Sequence, residues 1–150
     1  VLEMNYKIAG ILSTILLIPI LPKACEEQSC DCICAAYESE QFFINDTLHL
    51  KYSEIYCNPE YEFLMGFDSI ADNRCPLGAV CIWEGNAAIT IKLKSKNHHY
   101  TSFRLNTHNR FLTDTLVDGL RYELIEVLPY PEVNKDYCLE DYELLLYISD

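Results

Sequence analysis

Eight cysteines in 150 residues are the first groups here whose chemistry needs an explanation. At this density thiols serve either as disulfides in an oxidising compartment or as metal and redox ligands in a reducing one. Cys30, Cys32 and Cys34 recur at every second residue, which places them on one side of an extended segment. A zinc site would require a further histidine or a second cysteine pair at ligand spacing, and neither follows. Disulfides to the domain or to another chain are the plainer use. Cys75 and Cys81 bracket a loop containing Pro76 and Gly78, so the chain can fold back and bring them within disulfide reach. Cys57 and Cys138 each follow a tyrosine and each precede a strand-like run, 62–67 and 142–148. If those runs are neighbours in one sheet, the two cysteines meet, and a Cys57–Cys138 disulfide is expected. Pairing of either with the leading segment is the alternative.

Other reactive groups are sparse. His98 and His99 are adjacent in a polar turn, so on a strand they would point to opposite faces and chelate one ion poorly. His49 and His108 stand alone. The acidic cluster of Asp136, Glu140, Asp141 and Glu143 lacks calcium-loop spacing and reads as a solvated face. There is no G-x-S-x-G, no H-E-x-x-H and no glycine-rich phosphate loop. The expectation is a protein without enzymatic activity, cofactor or metal. Asn45-Asp46-Thr47 matches a glycosylation sequon, a short pattern that carries little weight by itself.

The N-terminal segment decides between the two uses of cysteine. Lys7, close after Met4, precedes the uncharged 14-residue run Ile8 to Leu21. As a helix it would span about 21 Å, short of the roughly 30 Å hydrocarbon core. It therefore reads as the apolar part of a signal peptide over residues 1–24. Leu21-Pro22-Lys23-Ala24-Cys25 resembles the lipobox of bacterial lipoproteins, with a small residue directly before a cysteine. That resemblance implies lipidation of Cys25, a membrane anchor, and an exported location in the cell envelope as an outer-membrane lipoprotein facing the periplasm or the cell surface. Ordinary signal-peptidase cleavage or an uncleaved anchor are the alternatives. In either export reading the cysteines are disulfide formers.

The formal charge is −12, and from Cys25 onward 9 Lys and Arg stand against 22 Asp and Glu. Such a surface repels phosphate backbones, which excludes a nucleic-acid partner and disfavours polybasic membrane contact. Residues 25–40 show no strand or helix period and read as a tether. From 41 to 150 the pattern is that of one β domain. Leu48, Leu50 and Tyr52 alternate with polar residues, as do Ile89, Ile91 and Leu93, and Tyr142, Leu144, Leu146 and Ile148. Residues 101–105 can pair with 89–93 across a polar turn. Asp118-Gly119 is a hairpin dipeptide between 115–117 and 120–127. The fold class expected is all-β, a small antiparallel sandwich or barrel stapled by disulfides.

The most distinctive segment is Asp72-Asn73-Arg74-Cys75-Pro76, a short loop, then Cys81-Ile82-Trp83-Glu84-Gly85-Asn86-Ala87. Trp83 lies two residues after Cys81 and, on an extended chain, would cover the disulfide. Asp72 is expected to cap loop N–H groups, and Arg74 to pair with a carboxylate or carbonyl. This segment resembles a family of small uncharacterised bacterial secreted proteins and lipoproteins with a D-x-R-C-P…C-x-W-x-G-x-A pattern, matched at Asp72, Arg74, Cys75, Pro76, Cys81, Trp83, Gly85 and Ala87. The similarity extends over roughly 48–148. Cys57 and Cys138 lie outside the pattern. The resemblance implies a secreted β domain and no particular activity. The function expected is a non-catalytic envelope lipoprotein with a binding or structural role toward an unknown protein or glycan. A secreted inhibitor or ligand-binding module using the scaffold's loops is the alternative.

Overall fold

The computed structural model describes residue 34, residues 37–95 and residues 99–150. The expected signal peptide, Cys25, Cys30, Cys32 and His98 lie outside the described residues. Among the described residues nine strands follow one another: β1 Ser39–Gln41, β2 Asp46–Lys51, β3 Ile55–Asn58, β4 Phe63–Asp72, β5 Ala87–Ser95, β6 Tyr100–Asn106, β7 Asp114–Val117, β8 Leu120–Leu128 and β9 Glu143–Ser149. One 3-10 turn, Leu139–Asp141, precedes β9. The strands form two sheets, β1-β3-β4-β5-β6 and β2-β9-β8-β7. All pairs are antiparallel except β1 with β3. The protein is thus an all-β, sandwich-like domain.

Alternation explains the packing. Leu50 on β2, Ile89 and Ile91 on β5, Leu105 on β6, and Leu144, Leu146 and Ile148 on β9 have no exposed surface and meet between the sheets. Two hairpins fall where turn chemistry indicated. β5 pairs with β6, and Asp118 and Gly119, both at positive φ, join β7 to β8. Two bulges reset the alternation. On β4 the register shifts between Phe67 and Ser69, so Phe63, Met65 and Phe67 face inward before it, and Ile70 and Asp72 after it. On β8 the shift between Leu124 and Glu126 turns Val127 inward and leaves Ile125 exposed.

The second disulfide differs from the sequence expectation. Cys57 pairs with Cys34, and Cys138 carries a free, exposed thiol. The reason is topological. The runs that follow Cys57 and Cys138 become β4 and β9, which belong to different sheets. On β3, Tyr56 faces the core whereas Cys57, with Leu64 beside it on β4, faces outward, where the buried Cys34 covers them. The end of the expected tether is accordingly part of the fold. After Cys34, Tyr37 accepts a 2.6 Å hydrogen bond from Lys94 Nζ, and β1 extends the sheet beside β3. Lys94 Nζ also lies over the Tyr37 and Tyr100 rings, and these hydroxyls hold its pKa above the usual lysine range.

Leu64, beside the Cys34 attachment, and Asp72 stand near opposite ends of β4, about 25 Å apart at roughly 3.3 Å per residue. Cys34 and the 73–86 connection therefore occupy opposite poles of the sandwich.

Two disulfides, Cys34–Cys57 and Cys75–Cys81, belong to an oxidising, extracytoplasmic setting. Among the described residues no helix is long and apolar enough to cross a membrane. Peptide mapping without reduction should recover Cys34 linked to Cys57, with Cys138 alkylated. Cys138→Ser should shift stability by no more than about 0.5 kcal/mol in urea unfolding, whereas Cys57→Ser should lower it by about 3 kcal/mol.

Candidate functional site

The distinctive motif builds the pole at the ends of β4, β8 and β9. The bulge at Asp68 directs Asp72 inward, and Arg74 follows two residues later with only 8% of its surface exposed. Arg74 Nε donates to Asp72 Oδ1 at 2.9 Å and Arg74 NH2 to Asp72 Oδ2 at 2.6 Å, a bidentate fork. The same guanidinium donates to the Val127 carbonyl at 2.7 Å and to the Pro129 carbonyl at 2.8 Å. The Tyr130 ring lies 4.7 Å from its centre. Asp72 also accepts from the Arg74 backbone N–H and from the Tyr142 hydroxyl. Burial first, and the Asp72 carboxylate second, push the Tyr142 phenol above its ordinary pKa.

The fork is structural. Arg74 and Asp72 side chains are each 6% exposed, so substrate has no access to them. They join β4 of one sheet to β8 and β9 of the other. Desolvating two charges costs several kcal/mol each, offset here because the fork and the carbonyls occupy four donor bonds. Among the described residues no buried side-chain N or O lacks a partner.

The chain beyond Asp72 continues the β4–β5 hairpin as a raised tip. Asn73 and Asn86 exchange backbone hydrogen bonds, and Cys75 N–H donates to Glu84 O at 2.7 Å. Gly85, at φ +79°, makes the crossing possible: a Cβ there would sit 2.0 Å from Asn73 O and 2.6 Å from Arg74 Cα. The Cys75–Cys81 disulfide closes the tip. Its flank is braced by Leu77 N–H to Pro131 O and by Val133 N–H to Leu77 O. The 107–113 loop packs alongside, held by Asn86 Oδ1 accepting from His108 N–H and by Thr107 Oγ1 accepting from Ala87 N–H.

On this frame the side chains point outward and are apolar. Val80 and Ile82 are fully exposed at 103% and 107%, and Leu77, Trp83, Phe111 and Leu112 are half exposed or more. The Trp83 ring centroid is 5.9 Å from His108, and His108 is 6.3 Å from Phe111. The chain bends at Ile82 and Trp83. Trp83 therefore reaches the 107–113 loop, and it lines one hollow together with Cys75 and Cys81. His108 Nδ1 accepts from Arg110 N–H, leaving Nε2 facing Glu84 at 4.0 Å. An open hollow of about 590 Å³ separates the two loops, lined among others by Pro76, Trp83, His108, Arg110 and Tyr130.

The other candidates remain apart. Among the described residues no three His, Cys, Asp or Glu side chains converge as metal ligands. His49 Nδ1 meets Glu143 Oε1 at 2.5 Å on the outer face of β2 and β9. Solvent reaches both groups, and such a cross-strand pair contributes about 0.2–1 kcal/mol. Asp141 caps the 3-10 turn by accepting from Cys138 N–H at 2.7 Å. Compared with known protein families, curated proteins and solved structures, the chain matches none.

Sequence reasoning missed Val127 and Pro129 as partners of Arg74, because main-chain acceptors leave no mark on side-chain identity, and it missed the Tyr130 ring over Arg74 and the Tyr142 hydroxyl on Asp72 because those contacts join positions far apart in the chain. It also missed Phe111 and Leu112. Two adjacent apolar residues in a stretch otherwise reading T-H-N-R are the signal that could have found them.

Arg74→Met should lower unfolding free energy by about 3–5 kcal/mol, because Asp72 is left buried without its counter-charge. Gly85→Ala should be comparably damaging through the backbone clash. Urea unfolding at neutral pH measures both, with Ile82→Ala as a control unchanged within about 0.5 kcal/mol.

Proposed function

We propose that this protein is a non-catalytic binding module of the bacterial cell envelope, anchored through a lipidated Cys25 and engaging a protein partner with its Cys75–Cys81 pole. The observation that carries the reading is the full exposure of Val80 and Ile82 on a frame otherwise fixed by a buried Arg74 fork, a disulfide and close backbone contacts. Large apolar side chains held in water at one pole mark interaction surfaces more often than chance exposure. Pre-ordering the loop removes part of the entropic cost of association. The place of Cys34 at the opposite pole supports the anchor reading, since a chain entering there from the membrane would point the Cys75–Cys81 pole away from it. The D-x-R-C-P…C-x-W-x-G-x-A resemblance supports membership in the family of small secreted proteins and lipoproteins.

Recovery of cross-linked partners from envelope extract, with the wild type and an Ile82→Asp/Trp83→Ala variant, tests this. The expected result is a partner captured by the wild type and reduced about tenfold or more with the variant, corresponding to at least 1.4 kcal/mol of binding energy. The variant's thermal midpoint should stay within about 2 °C. Equal capture by both proteins would remove the loop from the account.

A further inference from the structure

We infer that the 77–83 loop is a substrate-like insertion loop that occupies the apolar specificity cleft of an exported peptidase, so that the protein acts as a reversible peptidase inhibitor. This rests on the binding-module reading and names the class of its partner. The loop is convex. Val80 and Ile82 project fully into solvent, and the hollow beside them is wide and open rather than a closed ligand pocket. A convex apolar tip requires a concave apolar receptor. Among the described residues, the backbone N–H and C=O groups of Val80, Cys81, Ile82 and Trp83 make no backbone hydrogen bonds. They are free to pair with an enzyme cleft as a bound peptide strand does. Ala79 N–H bonds Pro76 O, Cys75 bonds Glu84, and the Cys75–Cys81 disulfide bounds the ring, so the ends of the tip are fixed before binding.

Charge and side-chain size narrow the receptor. Val80 and Ile82 are β-branched aliphatics, which suit a small apolar pocket better than the acidic pocket of a trypsin-like enzyme. Glu84 flanks the tip with Arg110 as the opposing cation, on a chain of net charge −12. A receptor with a basic rim is complementary. A second copy of this chain offers the same charge and the same convex tip, and an anionic lipid surface repels it.

The test is inhibition of elastase, whose specificity pocket is small and apolar, by the full mature protein, with trypsin as the comparison. The expected result is competitive inhibition of elastase in the micromolar range or tighter, with no effect on trypsin. Val80→Asp and Ile82→Asp should each weaken it about tenfold or more. Both side chains are fully exposed, so both variants should retain the wild-type thermal midpoint, which is measured alongside. Absence of elastase inhibition by the folded wild type overturns the inference, as does equal inhibition by the aspartate variants. Loop-dependent sedimentation with phosphatidylcholine vesicles, or loop-dependent dimerisation, would also overturn it by assigning the tip another occupant. If a loop-dependent envelope partner is captured while elastase is unaffected, the inference falls and the binding-module reading stands.

Discussion

The pole of this sandwich depends on where one guanidinium can be placed. Arg74 has to leave water, and it can do so only where a carboxylate and two carbonyls converge. Asp72 supplies the carboxylate because a bulge in β4 turns it inward. Val127 supplies a carbonyl from β8, whose own bulge turns that residue inward. Two irregularities on two sheets therefore serve one buried ion. Tyr142 adds a hydroxyl from the approach to β9. The sheets are held in mutual register at this end by polar bonds, and elsewhere by the Leu, Ile and Val layer between them.

The rigid pole explains how a mostly apolar tip can stay in solvent. A flexible loop of this composition would collapse onto the sandwich and bury its aliphatic side chains. Here Gly85 brings the two arms of the hairpin into contact, and the disulfide keeps the ends from separating. The residues between them cannot turn back, so Val80 and Ile82 stay outside. The acidic surface limits self-association of the same groups.

How far the sequence reached is clearest from single positions. Turn chemistry located β6 beside β5 and the β7–β8 hairpin, and period-two alternation located β2, β5 and β9, since each keeps one face in the core. It missed β3, where Tyr56, Cys57 and Asn58 are all buried and no alternation survives. It missed β1, a three-residue parallel edge held by neighbours rather than by its own pattern. The Cys75–Cys81 ring was accessible because its partners are six residues apart and joined by Pro and Gly. Cys34–Cys57 was not, because its formation depends on which sheet each strand joins. Arg74 and Asp72 could be singled out, but their partners could not, since long-range carbonyls are invisible to local reading.

The separation between the buried frame and the exposed tip has a consequence for how such a protein changes over time. Most bonds that set the pole end at Asp72 to Leu77 on one arm and at Cys81 to Ala87 on the other. The Val80 and Ile82 side chains support nothing beneath them. Replacement of Val80 or Ile82 is thus nearly neutral for folding, whereas Gly78, at φ +88°, is held to glycine, and recognition can drift at the two exposed side chains without a compensating change in the core. The fold behaves as a socket with an interchangeable head.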